Sequence, residues 1–113
     1  LHIWGGETTL KLPPNPGRGG RNQTLALAAA RRLAGSSGIA LLAAGTDGTD
    51  GPTDDAGAMV DGDTVVRGRD AGFAANECLA RADAGTFLEG AGDLVNTGPT
   101  GTNVMDLVLA VKR

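Results

Sequence analysis

Histidine, cysteine and aromatic side chains are almost missing from this chain, and each scarcity rules out a chemistry. Cys78 is the only cysteine among 113 residues, so no intrachain disulfide can form, which mildly favours a reducing, cytoplasmic compartment. Lying within an expected helix, Cys78 reads as a small buried hydrophobe rather than a nucleophile. His2 is the only histidine, and it reads as a surface position on a terminal strand. One histidine cannot complete a Ser–His–Asp set without strain, and no Cys/His spacing for zinc exists. Tyrosine is absent and aromatics make up 3% of the chain, so the core must be built from Ala, Leu, Val and Ile. Such small residues suit close packing of helices on a sheet. Basic residues are few: Lys and Arg total 10 against 13 Asp and Glu, a net charge of −3, with no cluster. That removes the electrostatic footprint expected for nucleic acid or an anionic membrane surface. No apolar run reaches membrane-spanning length and no signal peptide opens the chain. It opens instead on Leu1 in an apolar run, which we read as a piece of a longer polypeptide.

Glycine is the excess, at 19 residues, gathered in clusters between apolar segments. That is how a fold looks when its loops bring backbone close to a ligand. The pattern predicts strands over 1–4 and 8–12, the second ended by Pro13, Pro14 and Pro16. A helix follows over 23–34, with Asn22 as its N-cap and Gly35 closing it. Residues 39–44 form a short apolar run without alternation, the mark of a strand buried on both faces. A loop covers 45–53, a short helix or helical turn 54–60, a turn 61–63 and a short edge strand 64–67. Helices are expected over 70–81, capped by Asp70, and over 86–89. A loop over 97–103 leads into a last strand over 107–111. This alternation argues for one layered α/β domain with a mostly parallel or mixed sheet flanked by helices.

Three loops adjoin expected core strands, where open α/β sheets bind ligands. The first, Gly17-Arg18-Gly19-Gly20-Arg21-Asn22, opens the long helix. Its backbone N–H groups at Gly19, Gly20 and Asn22 favour an anion, and Arg21 adds a bidentate fork for phosphate or carboxylate. It is neither a dinucleotide fingerprint nor a Walker A loop; the bland reading is a glycine turn beside a solvated arginine. The second, Gly45-Thr46-Asp47-Gly48-Thr49-Asp50-Gly51-Pro52-Thr53-Asp54-Asp55, repeats a Gly-Thr-Asp unit. Asp47 and Asp50 then stand three residues apart among the hydroxyls of Thr46 and Thr49. Oxygen ligands of this kind suit Mg²⁺ shared with a substrate phosphate; the bland reading is that both aspartates cap turns. The third, Thr97-Gly98-Pro99-Thr100-Gly101-Thr102-Asn103, offers Thr97, Thr100, Thr102 and Asn103 to phosphates or sugar hydroxyls, or is a tight connection into the last strand.

Four segments in order carry a resemblance that spans nearly the whole chain. They are Gly5-Gly6-Glu7-Thr8-Thr9, then Gly19-Gly20-Arg21-Asn22-Gln23, then the run from Gly45 to Asp54, then Thr97 to Leu107, which includes Val104-Met105-Asp106. Together they resemble the signature segments of the MOFRL domain, the C-terminal part of class II glycerate kinases, often labelled hydroxypyruvate reductases. The resemblance implies a two-domain enzyme that phosphorylates D-glycerate at its 2-hydroxyl with ATP and Mg²⁺, in a cleft against a Rossmann-like N-terminal domain. It implies that Arg21 is the active-site arginine and that the second and third loops line the same cleft. The isolated chain is then expected to be inactive, with the N-terminal domain of the same polypeptide as its partner; a homodimer stays open. Two other readings remain: a reductase using a nicotinamide cofactor, for which this chain carries no fingerprint, and a non-enzymatic domain that binds an acidic metabolite.

Overall fold

The computed structural model describes residues 2–6, 17–101 and 106–112. Within them lie five strands and four helices: β1 (His2–Gly6), α1 (Arg21–Leu33), β2 (Ile39–Gly45), β3 (Gly57–Asp61), α2 (Thr64–Asp70), α3 (Ala75–Ala80), α4 (Ala84–Ala91), β4 (Leu94–Val95) and β5 (Asp106–Lys112). The strands form one sheet in the order β1-β5-β2-β3-β4, so this is an α/β domain. The expected strand over 8–12 falls outside the described residues.

Every described pairing is antiparallel. Strand–helix alternation suggested a mostly parallel or mixed sheet. The difference arises at 46–56, where the chain turns back without a crossover helix, so β3 lies directly beside β2. Residues 57–60 therefore extend a strand and are not the helix or turn expected over 54–60. The expected edge strand at 64–67 is the start of α2. Its β-branched residues suggested a strand, but Thr64 Oγ1 accepts from the Asp61 N–H at 2.9 Å and donates to Asp93 at 2.7 Å, which starts a helix locally. The single helix expected over 70–81 is divided: α2 ends at Asp70, Gly72 takes φ +99°, and α3 begins at Ala75. The expected helix over 86–89 lies inside α4, and the strands over 39–44 and 107–111 lie inside β2 and β5.

The core is small-residue, as composition requires. Ala26, Leu27 and Ala30 of α1 meet Ala43 of β2, Ala58 and Val60 of β3, Cys78 of α3, and Ala84, Phe87 and Leu88 of α4, all buried. Alternation along the strands puts Leu41, Ala43, Ala58 and Val60 on this one face. On the other face, among the described residues, Met59 of β3 and Val111 of β5 are exposed while Ala40, Leu42 and Ala44 of β2 are half-buried, short of the full burial that its unbroken apolar run suggests. Burial pushes the Cys78 thiol up in pKa, in keeping with a core residue and not a nucleophile. Among the described residues no helix is long and apolar enough to cross a membrane.

Candidate functional site

Antiparallel register gathers the loops at one end of the sheet. Gly45, the last residue of β2, stands opposite Asp106, the first of β5, and Asp106 stands opposite Gly6, the last of β1. On the other side Gly57 faces both Ala44 and Val95. The loop after β2, the loop after β4 and the chain entering β5 therefore share one edge. The start of α1 joins them through side chains of its first turn.

Two carboxylates organise that edge. Asp106, 3% exposed, grips Arg21 with both oxygens: Nε donates to Oδ2 at 2.6 Å and Nη2 to Oδ1 at 3.0 Å. The Asn22 amide nitrogen donates to the same Oδ1 at 3.0 Å and to Asp50 Oδ1 at 3.3 Å. Asp50, 2% exposed, takes the backbone N–H groups of Asn22 at 2.9 Å and Gln23 at 2.7 Å. It is thus a cap for α1 supplied from another loop, placing negative charge where the helix dipole favours it. Burial pushes its carboxyl above the ordinary 3.8, against the pull of the N–H groups of Asn22 and Gln23.

This arrangement alters three sequence expectations. The N-cap position of α1 is Gly20, not Asn22, because the Asn22 side chain is spent bridging the two carboxylates. The anion that the helix N-terminus favours is Asp50, so the N–H groups of Asn22 and Gln23 are already taken. Asp50, expected beside Asp47 as a Mg²⁺ ligand, has both oxygens turned into the protein.

The second and third loops meet directly. Thr100 Oγ1 donates to the Thr46 carbonyl at 2.6 Å, and the Thr100 N–H reaches the Asp47 carbonyl at 3.4 Å. A Cβ on Gly48, which takes φ +91°, would collide with the Gly98 carbonyl, so the two backbones touch there. Asp47 is exposed, and its Oδ1 accepts from the N–H of Thr49 at 3.0 Å and from its hydroxyl at 3.1 Å. Thr97 is exposed and donates to the Gly98 carbonyl at 2.9 Å. Gly19 and Gly20 pack against the second loop, where a Cβ on Gly20 would lie 2.5 Å from Asp50. Arg21, Asn22, Gly19, Gly20, Thr46, Asp47, Thr49, Asp50, Thr97 and Thr100 thus lie in one cluster; Thr102 and Asn103 fall outside the described residues.

Among the described residues no three His, Cys, Asp or Glu side chains are placed to hold a metal ion. Of the two aspartates expected to hold Mg²⁺, the exposed Asp47 is the one whose carboxylate is not turned into the protein, and it could share the ion with oxygens brought by a phosphate. Such sharing is ordinary for this ion.

Asp106 lies within the Thr97-to-Leu107 motif but is a site residue to which the sequence pattern assigns no role. Its signal was an acidic residue opening an otherwise apolar strand. Arg18, likewise without an expected role, joins buried Asp55 at 3.1 Å and contacts Glu89, bracing the first loop against the second and α4.

The MOFRL family model matches residues 1–106. A protein from Thermotoga maritima named D-glycerate 2-kinase is 50% identical over 96% of this chain and 26% of its own length. A crystal structure of glycerate kinase from the same organism superimposes with a TM-score of 0.94 at 48% identity, covering 98% of this chain and 27% of that one. A relative from Agrobacterium vitis bearing a hydroxypyruvate reductase name is 48% identical over 91% of this chain and 24% of its length. The chain spans about a quarter of the length of the curated relatives it matches.

Proposed function

Because the chain belongs to the MOFRL family, we propose that it forms one wall of the active site of a two-domain glycerate kinase, with a Rossmann-like N-terminal domain supplying the other wall. The reaction is transfer of the γ-phosphoryl group of ATP to the 2-hydroxyl of D-glycerate, with the three-loop cluster facing the interdomain cleft. The observation that carries this reading is Arg21: its side chain is 36% exposed while its Nε edge is fixed by a buried carboxylate. A planar, permanently charged guanidinium held in a fixed direction this way suits neutralising the oxygens of a transferring phosphoryl group. Phosphoryl transfer depends mainly on positioning and charge neutralisation, which is what such a wall can give.

Mg²⁺, when bound with ATP, neutralises charge on the phosphates. Asp47 is the residue of this chain that would hold it, directly or through water, while Asp50 sets the start of α1. Gly19, Gly20 and Asn22 and the hydroxyls of Thr46, Thr49, Thr97 and Thr100 belong to the same wall, and Thr102 and Asn103 are further substrate contacts that the sequence suggests beyond the described residues. Among the described residues, the carboxylates nearest Arg21, those of Asp106 and Asp50, are engaged in holding Arg21 and α1.

The reductase reading fits less well. A nicotinamide dinucleotide seats its pyrophosphate on a helix N-terminus, and the carboxylate of Asp50 fills that position on α1, so that reading needs the dinucleotide site to lie wholly in the other domain.

The full-length protein decides between these readings. With ATP, Mg²⁺ and D-glycerate it should release 2-phosphoglycerate, while the 113-residue chain alone shows no turnover. Nicotinamide-dependent reduction of hydroxypyruvate without any phosphorylation would overturn the proposal. Tight binding of ATP or 2-phosphoglycerate by the chain alone would favour a self-contained metabolite-binding domain instead.

A further inference from the structure

We infer that Asp106 is the positioning residue for Arg21, and that with Asn22 it makes the arginine's direction a property of the sheet rather than of a loop. The inference rests on the kinase reading and extends it to a residue that touches no substrate.

Three observations combine. First, Asp106 is placed by backbone register, paired on both sides, opposite Gly45 and Gly6. Register pairing on both sides fixes its backbone relative to β1 and β2. Second, its carboxylate meets Arg21 in the two-pronged geometry that fixes a guanidinium in plane as well as in position. Third, Oδ1 is shared with the Asn22 amide, which also reaches Asp50, the cap of α1. Arg21, Asp106, Asn22, Asp50 and the first turn of α1 therefore form one unbroken hydrogen-bonded chain. Every group touching the two carboxylates in that chain is a donor. A carboxamide at position 106 would have to turn its own NH2 toward either the Arg21 Nε–H or the shared pair of donors. It fills the same space but cannot hold the fork.

Position matters here because the transferring group leaves little room for error. A misplacement of about 1 Å in a charge-neutralising group costs on the order of 10²-fold. A carboxylate retained only for stability would behave differently: its loss would weaken the fold without reference to Arg21.

The test is a double-mutant cycle in the full-length protein, read as kcat and KM for D-glycerate. Asp106→Asn should lower kcat/KM by about 10²-fold, mostly in kcat. Arg21→Ala should lower it at least as far. The double variant should then fall within about twofold of Arg21→Ala, because Asp106 has nothing left to position. Asp106→Glu keeps the charge one methylene away and should recover part of the loss. If Asp106→Asn does not fold, Asp106→Glu takes its place in the cycle with the same non-additive outcome expected. Losses that multiply in the double variant would overturn the inference, as would parental kinetics for Asp106→Asn beside an impaired Arg21→Ala. Parental kinetics for Arg21→Ala itself would remove the arginine's role and the kinase reading of this wall together.

Discussion

Replacing Asp50 by alanine should loosen the first turns of α1, and the size of the effect follows from what the carboxylate touches. Both backbone N–H groups it accepts, those of Asn22 and Gln23, belong to residues with no exposed surface. Without Asp50 they face protein rather than solvent, at a cost of about 1–3 kcal/mol for each stranded donor. Loss of an ordinary side-chain cap costs about 0.5–2 kcal/mol. The Asn22 amide also loses one of its two acceptors, though Asp106 keeps it partnered. We therefore expect about 3 kcal/mol, in the lower half of the range of about 2–6 kcal/mol for two donors. Hydrogen exchange of the α1 amides in the full-length protein reads this directly. At about 1.4 kcal/mol per tenfold, protection should fall roughly 10²-fold. Asp50→Asn should lie in between, since the carboxamide keeps one acceptor but turns an NH2 toward a donor. Protection unchanged within about twofold in Asp50→Ala would refute the capping role and return Asp50 to the candidates for Mg²⁺.

Three further outcomes follow from other parts of the molecule. Gly48→Ala should part the second and third loops, because its Cβ would strike the Gly98 carbonyl and its backbone sits at φ +91°; kcat/KM should fall at least about tenfold even where the protein stays folded. Gly68→Ala, far from the loops, should cost about 1–3 kcal/mol in thermal or denaturant unfolding, because its Cβ would run into the Phe87 ring, and should leave kcat unchanged at permissive temperature. Asp61 supplies a pH signature. Burial alone would raise its carboxyl, but the Asp63 N–H and the Arg67 guanidinium together hold it below the ordinary 3.8. A depressed folded-state value stabilises above the unfolded one and is lost as pH falls through the folded value. The stability gap between parent and Asp61→Asn should therefore be present at pH 7 and close below pH 3.8.

Elements whose pattern is local were legible in the sequence. The alanine–leucine period of α1, the apolar run of β2 and the final strand β5 each state their type within a few residues. Where tertiary partners decide, local reading failed. Thr64, Val65 and Val66 have strand propensity, yet Asp61 and Asp93 start a helix there through Thr64. Residues 54–60 carry no strand period, and β3 forms because β2 lies beside it. The site divides the same way. The three loops and Arg21 were visible as composition and motif. That Asp50 caps a helix 28 residues earlier in the chain, or that Asp106 grips a residue 85 positions away, depends on register that no local window contains.

The guanidinium of Arg21, in its fixed direction, is proposed to carry the chemistry of this wall. Arg21→Lys in the full-length protein tests it most directly, because the charge stays while the two-pronged fork is lost. Measured with ATP, Mg²⁺ and D-glycerate, kcat/KM should fall by about 10²–10³-fold, the scale of losing one preorganised transition-state donor, with the fold intact. Parental kcat/KM in Arg21→Lys would leave Arg21 as no more than the solvated partner of Asp106 and remove it from the chemistry.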